Sequence, residues 1–388
     1  MFVTGIIAEF NPLHKGHEYL LKKAGERGPV VCVLSGNFVQ RGETAIAEKR
    51  VRTKAALLCG ADLVLELPVL WSMSTAQNFA LGGVSALGYA GCDGILFGSE
   101  NGNIEDLKKA SEILESKEYL EILDKEISSG VTFAAARQLS AEKCGLEKGI
   151  LDGANNNLGI EYITAAKKLG LHLEFDTIAR LGSGHDSKEE SGFVSASFIR
   201  EKIKGNQIEN LKKYMPEKAA ELFSENNISH TDNIERLILG TLRTKTLEDL
   251  KKLPDISEGI ENKLFDNIRL AGSLEELYNG IKVKRYTLAR IRRLVLSAFL
   301  GADNTFFMKP LPYVRVLGVN KTGQELLGSR LVKSPVPVIT KTRDINNLDS
   351  ISKKVFDIEC RATDLFGLSL NNPLGCGLEY TSKIITME

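Results

Sequence analysis

Two histidines three residues apart, His14 and His17, enclose Lys15 and Gly16 in the string Glu9-Phe10-Asn11-Pro12-Leu13-His14-Lys15-Gly16-His17. Imidazoles so spaced at the first turn of a helix can both hydrogen-bond charge that develops on a pyrophosphate leaving group. A helix start adds free N–H groups and the positive end of a dipole, and phosphates bind there readily. Gly16 has no Cβ, so a triphosphate can approach the backbone closely. Two surface histidines beside a turn would be the plainer explanation. The context favours the nucleotide site, because the apolar run Phe2–Ala8 reads as a buried strand, Pro12 marks a turn, and His17–Ala24 reads as a helix.

Strand–helix alternation continues through the first 205 residues. Val30–Leu34, Leu63–Leu67, Gly94–Phe97 and Leu171–Ile178 read as strands; Glu48–Cys59, Ala76–Gly88, Ile160–Leu169 and Ser197–Ile203 read as helices. The expected fold class is α/β: a Rossmann-like parallel sheet over residues 1–205, covered on both faces, with ligands at the strand C-termini. Residues 206–302 read as a helical domain. Residues 303–388 regain strand character as a small C-terminal α/β segment, either a unit of its own or packed back on the first domain.

Lys plus Arg equals Asp plus Glu at 50 each, so no global charge draws the chain to a polyanion, and any such site must be a local patch. The six cysteines form no CxxC pair and none sits beside a His at metal-ligand spacing, which gives no metal site and no nucleophilic thiol. No apolar run approaches the ~20 residues needed to span a bilayer. The expectation is a cytoplasmic protein with no membrane partner.

Further strings carry weaker signals. Ser195-Ala196-Ser197-Phe198-Ile199-Arg200 offers small hydroxyls at a helix start with an arginine one turn in; Ser195 or Ser197 also suits an N-cap. Gly182, Gly184, His185 and Asp186 read equally well as a mobile lip or an ordinary turn, and His185 with Asp186 as an aid to proton removal. No acidic residue lies between Glu276 and Asp303, a stretch holding Lys282, Lys284, Arg285, Arg290, Arg292 and Arg293; on a helix Arg290 and Arg293 fall opposite the apolar stripe, a geometry that suits phosphate contact. A second basic group is Arg41, Lys49, Arg50, Arg52 and Lys54. Trp71, Phe38 and Tyr162 are base-stacking candidates that fit a core better.

With the strings Ser35–Glu43, Asp62–Pro68, Phe97–Glu100, Asn155–Tyr162 and Arg180–Asp186, the chain resembles, over nearly its whole length, the bacterial tRNA(Met) cytidine acetate ligase family of the HIGH-type nucleotidylyltransferase superfamily. The resemblance implies activation of acetate by ATP to acetyl-adenylate and transfer of the acetyl group to N4 of the wobble cytidine of elongator tRNA(Met). It carries the ATP segment onto Ile7, Ala8, Glu9, Phe10, Asn11, Pro12, Leu13, His14, Lys15, Gly16, His17, Glu18, Tyr19 and Leu20, with further contacts at Gly98, Asn155, Arg180 and Leu181. The catalytic candidates are His14, His17 and Lys15. Ala154 stands where Pro is common and Asn157 where an aliphatic residue is usual, which leaves open whether Asn155 or Asn156 makes the contact. Mg²⁺, the common escort of ATP, is a candidate that no string demonstrates. The alternative is a nucleotidylyltransferase acting on a small phosphorylated substrate.

Overall fold

The computed structural model describes residues 1–180, 194–205, 207–223, 228–257, 259–283 and 286–388. The elements of the first half are β1 (Thr4–Ala8), α1 (Lys15–Gly25), β2 (Val30–Ser35), the hairpin β3 (Phe38–Val39) and β4 (Glu43–Thr44), α2 (Lys49–Leu58), β5 (Leu63–Leu67), α3 (Val69–Ser72), α4 (Ala76–Tyr89), β6 (Gly94–Ser99), α5 (Ile104–Glu115), α6 (Lys117–Ser128), α7 (Phe133–Lys143), α8 (Ala154–Leu169), β7 (Glu174–Ala179) and α9 (Ala196–Lys204). After them come α10 (Glu217–Ala220), α11 (Glu235–Arg243), α12 (Leu247–Lys251), α13 (Ile260–Leu270), α14 (Leu274–Ile281), α15 (Leu288–Leu300), β8 (Val314–Val319), α16 (Lys321–Ser329), β9 (Val338–Ile339), α17 (Ser350–Gly367), α18 (Leu378–Thr381) and β10 (Ile385–Thr386).

The principal sheet runs β10-β8-β5-β2-β1-β6-β7, with β9 on β8. From β5 to β7 every pairing is parallel, as the alternation predicts. Residues two apart on one strand share a face, and both faces are apolar. Ile7, Val31, Val33, Leu63 and Leu65 meet α4 and α8 on one side. Ile6, Val30, Cys32, Leu34 and Val64 meet α1, α2 and α9 on the other.

The C-terminal strands do not make a sheet of their own. β8 pairs antiparallel with β5, from Leu63↔Val319 to Leu65↔Val316, and β9 and β10 attach to β8. Residues 303–388 therefore extend the first sheet. The α11–α15 helices have a separate apolar core, but α17 is shared: Val355 and Phe356 pack in the sheet core, whereas Ile358, Ala362 and Phe366 pack in the helical one. The helical region opens on a 3₁₀ segment, Ile208–Lys213, before its α-helices.

Candidate active site at the β1–β6 crevice

Chain order along the sheet reverses at β1: β2 and β5 lie to one side, β6 and β7 to the other. Ligands in open parallel sheets bind at such a reversal, beyond the strand C-termini. Here the crevice is built into the register. β1 and β6 pair only at Thr4↔Gly94 and Gly5↔Ile95, although β1 runs on to Ala8 and β6 to Ser99. Their C-terminal halves part, and a cleft of ≈ 330 Å³ opens between them. Ile7, Ala8, Glu9, Phe10, Asn11, His17 and Leu20 line it from the first strand and helix; Gly98, Asn155 and Arg180 line it from the β6–β7 side. Of the other expected contacts, Pro12, Leu13, His14, Lys15, Gly16, Glu18 and Tyr19 are absent from that lining. Leu181 and the lip residues Gly182, Gly184, His185 and Asp186 lie outside the described residues.

His14 is the N-cap of α1, so the helix begins two residues earlier than the sequence pattern suggests. Its Nδ1 accepts the backbone N–H of Gly16 (3.1 Å) and of His17 (3.3 Å), while Nδ1 of His17 accepts the backbone N–H of His14 (3.3 Å). This is a capping box made of two imidazoles. The rings stack at 3.7 Å, with Phe10 edge-on to His17 at 5.2 Å. An Nδ1 that accepts carries no proton, so in each neutral ring the N–H is on Nε2. Burial lowers the His14 pKa to about 3, helped by the Arg180 charge, and burial, His14 and Arg180 hold His17 well below the ordinary range. Both rings are neutral Nε2–H donors near pH 7. They do not face the cleft equally: His17 lines it, and His14 stacks against His17, buried.

Phe10 sits just before this helix at φ +43, a left-handed conformation unusual for an aromatic residue and costing on the order of 1–3 kcal/mol. Its fully buried ring offsets that cost by roughly as much. The turn is held on both sides. Asn11 Oδ1 accepts the Ile46 N–H (2.7 Å), and Asn11 C=O accepts from Arg200 Nη1 (2.8 Å). Asn11 Nδ2 is buried and has no hydrogen-bond partner among the described residues.

Opposite, α8 begins at Ala154, six residues before the helix expected from periodicity, so all three asparagines fall in its first turn or just beyond. That placement separates their roles. Asn156 is buried: its Oδ1 accepts the Glu100 N–H (2.9 Å) and its Nδ2 donates to Ile150 C=O (3.1 Å). Asn157 is tied to Arg137, Leu151 and Gly153. Asn155 lines the cleft, donating Nδ2 to Glu100 (2.7 Å) and accepting from Arg180 Nη1 (3.3 Å). Glu100 also accepts the backbone N–H groups of Asn155 and Asn156, an acidic group at a helix start. At Gly98 an added Cβ would stand 3.1 Å from Arg180 Cγ, so a larger residue would push that arginine.

The third wall comes from α9 and the β3–β4 hairpin. Ser195 is the N-cap of α9, accepting the Phe198 N–H (3.2 Å). Ser197 Oγ receives Arg41 Nη1 and Arg200 Nη2, both at 3.1 Å, and Arg200 also pairs with Glu43 at 3.5 Å. Arg41, Arg180 and Arg200 thus surround the cleft with positive charge.

The other basic residues stand elsewhere than expected. Arg52 is fully buried and donates to the carbonyls of Glu9, Ser35, Gly36 and Ala47; it clamps loop backbone and does not reach phosphates. Lys49 is also buried, paired with Glu66, Glu359 (3.1 Å) and Glu379. Both lie on the apolar face of α2 with Thr53 and Ala56, the periodicity signal that could have marked them as interior. Arg290 and Arg293 fold onto Asp255 (3.4 and 3.5 Å), and Arg293 also donates to Gln40 C=O (3.2 Å), so this helix face is not the open phosphate surface the sequence suggested. Tyr286 beside them is buried, and Lys284 and Arg285 lie outside the described residues. Trp71 and Phe38 are core side chains, whereas Tyr162 is nearly buried with one edge on the cleft.

Among the described residues, the carboxylates of Glu66, Glu359 and Glu379 converge closely enough to hold a metal ion. Lys49 sits among all three, and Arg315 pairs with Glu66 (3.5 Å) and Glu379, so cations already occupy the cluster. All six cysteines are unpaired, and burial raises the Cys32 and Cys92 thiols. No helix of the described residues is long and apolar enough to cross a membrane.

The family model described as HIGH Nucleotidyl Transferase matches residues 1–375. A tRNA(Met) cytidine acetate ligase of Thermoanaerobacter sp. (strain X514) is 38% identical over 405 residues, covering the whole of both chains. One from Clostridium novyi (strain NT) is 40% identical over 362 residues, covering 88% of this chain and 90% of its own. The crystal structure of Thermotoga maritima TmcAL bound with alpha-thio ATP is similar at a TM-score of 0.91 and 30% identity over the full length of both chains.

Proposed function

The chain belongs to the HIGH nucleotidyl transferase family, and from that membership, its full-length likeness to tRNA(Met) cytidine acetate ligases and the chemistry of the cleft we infer that it is an ATP-dependent acetate ligase acting on tRNA(Met). Acetate attacks the α-phosphorus of ATP and gives acetyl-adenylate and pyrophosphate. The N4 amine of the wobble cytidine of elongator tRNA(Met) then takes the acetyl group and releases AMP. The cytoplasm, where its substrates reside, is the corresponding location.

The observation that carries this reading is the reciprocal histidine cap. It sets neutral Nε2–H donors at a helix N-terminus, beside a cleft edged by Arg180 and Arg200. Acetate is already an anion, so adenylation needs alignment and charge neutralisation, with no base. His17 meets the phosphates directly, and His14 holds His17 and the helix start in place. Ile7, Leu158 and Phe97 give apolar walls for the adenine, with Gly98, Asn155 and Arg180 as its polar edge. Lys15 is a candidate only for the outgoing pyrophosphate, since it does not line the cleft. The cleft offers one described carboxylate, Glu9, so a Mg²⁺ accompanying ATP would be held by phosphate oxygens and water, and would supply neutralising charge. RNA phosphates would meet Arg41 at the cleft mouth, with exposed Lys54 on the same basic group and Lys282 of the helical region.

The test combines purified protein, tRNA transcripts, ATP and labelled acetate, with acetate-dependent pyrophosphate exchange run without RNA. Label on elongator tRNA(Met) at the wobble cytidine, lost with His17→Ala, is the expected result. Exchange without RNA label would overturn the acceptor. Absence of both signals with ATP still bound would favour a nucleotidylyltransferase of a small phosphorylated substrate.

A further inference from the structure

Acylation of an amine releases a proton, and the cytidine amine is a weak nucleophile whose lone pair is delocalised into its ring. We propose that Glu9 is the general base that takes this proton. The proposal rests on the reading above, in which a cytidine amine is the acceptor.

The described residues lining the cleft include six ionisable side chains: Glu9, His17, Arg41, Tyr162, Arg180 and Arg200. Five are unsuited to accept a proton near neutral pH. The three arginines are hydrogen-bond donors with no acceptor to offer. The Tyr162 hydroxyl is a protonated donor, held so by burial and by Glu9 itself. His17 already accepts the His14 N–H at Nδ1 and carries its proton on Nε2. Glu9 remains, the single carboxylate of this lining.

Its setting is that of a held acceptor. Glu9 follows the last residue of β1, at the point where β1 and β6 part. Its backbone C=O is fixed by Arg52 Nη1 (2.7 Å), and its Oε1 accepts the Gln40 N–H (2.9 Å). Oε2 accepts no hydrogen bond from the described residues and is left for a ligand. An ionised carboxylate is acceptor-only, so it repels a triphosphate and calls for a donor. In this cleft the amine N–H of the acceptor base is such a donor. The groups facing Glu9 are Arg52 from α2, Arg41 from the β3–β4 turn, Arg200 from α9 and Tyr162 from α8. Burial outweighs the three arginines and raises the carboxyl above its ordinary range, closer to the working pH of a base.

In the step, the N4 lone pair attacks the acetyl carbonyl carbon and a C–N bond forms. One N4 proton passes to Glu9 Oε2. The bond from the acyl carbon to the AMP phosphate oxygen breaks, and its electron pair leaves with AMP. Glu9 then returns its proton to solvent.

The test uses the full chain with elongator tRNA(Met) transcript, ATP and labelled acetate. Single-turnover acetyl transfer is followed from pH 5 to 9 beside RNA-free pyrophosphate exchange, for wild type, Glu9→Gln, Glu9→Asp and His185→Ala. Glu9→Gln keeps an oxygen for the Gln40 N–H, and thermal melting with ATP checks its fold. General-base loss costs about 10²–10⁴-fold. The expected result is therefore a transfer-to-exchange ratio at least ~100-fold lower in Glu9→Gln, loss of the acidic limb of the transfer profile, and a retained limb in Glu9→Asp. Equal falls in transfer and exchange, or rescue of Glu9→Gln by excess Mg²⁺, would overturn the proposal by placing Glu9 in adenylation. So would an acidic limb that survives in Glu9→Gln and disappears in His185→Ala. Wild-type exchange without RNA label would instead overturn the acceptor assignment, and this proposal with it.

Discussion

His14 and His17 cap one another: each ring Nδ1 accepts the other's backbone N–H at 3.3 Å, and the rings stack at 3.7 Å. One arrangement therefore closes the first turn of α1 and fixes the tautomer in which Nε2 is the donor. The two jobs separate by substitution.

His14→Asn retains a good N-cap and loses the imidazole. Its stability should stay within about 1 kcal/mol of wild type, whereas His14→Ala loses the cap at roughly 0.5–2 kcal/mol, read by urea denaturation. Acetate-dependent pyrophosphate exchange should fall in both. His17→Ala should fall further, on the order of 10²–10³-fold, because His17 is the ring on the cleft.

The same histidine gives the protein an acid sensitivity. His14 has its pKa lowered to about 3 when folded, against an ordinary value of 6.5. Between those values the unfolded chain binds the extra proton, so stability is lost as pH falls below about 6.5. From pH 7 to 5 the wild type should lose about 2 kcal/mol through His14 alone. His14→Asn should not, and denaturation at both pH values would show the gap between the two closing or inverting.

Asn155 and Asn156 should respond in opposite ways. Asn155→Ala should weaken ATP binding by calorimetry with little change in melting temperature. Asn156→Ala strips partners from the Glu100 N–H and Ile150 C=O, and should cost about 1–3 kcal/mol of stability. The reverse pattern would reassign the nucleotide contact to Asn156.

The buried cluster ties the C-terminal segment to the first domain: Lys49 and Glu66 come from α2 and β5, Glu359 and Glu379 from α17 and α18. Lys49→Met would leave three carboxylates unpaired by it and should destabilise by about 3–5 kcal/mol. Glu359 has its pKa raised to about 7, by burial first and then by Glu66. Its protonated form favours folding, and that contribution is lost as pH rises from 4.5 through about 7. Glu359→Gln should flatten this part of the stability profile while leaving the protein folded.

Much of this protein is set by local chemistry and is readable in one dimension. The strands β1, β2 and β5 are short apolar runs, the parallel sheet follows from their alternation with helices, and the HxGH string marks the first strand-to-helix turn. Those features depend on side-chain period and turn chemistry, which neighbouring residues decide. Other features need partners distant in sequence. Whether β8 forms a new sheet or joins β5 depends on which open edge the chain meets, some 250 residues away. The choice between Asn155 and Asn156 depends on where α8 starts and on Glu100. Arg52 and Lys49 carry the same charge as Arg41, yet only tertiary packing turns the first two inward, onto carbonyls and carboxylates that no local pattern announces. The sequence by itself determined a nucleotide fold and the histidines that mark its site. Tertiary structure decided which charges face the cleft, because burial and long-range pairing, and not residue type, determine whether a charge is structural or available to a substrate.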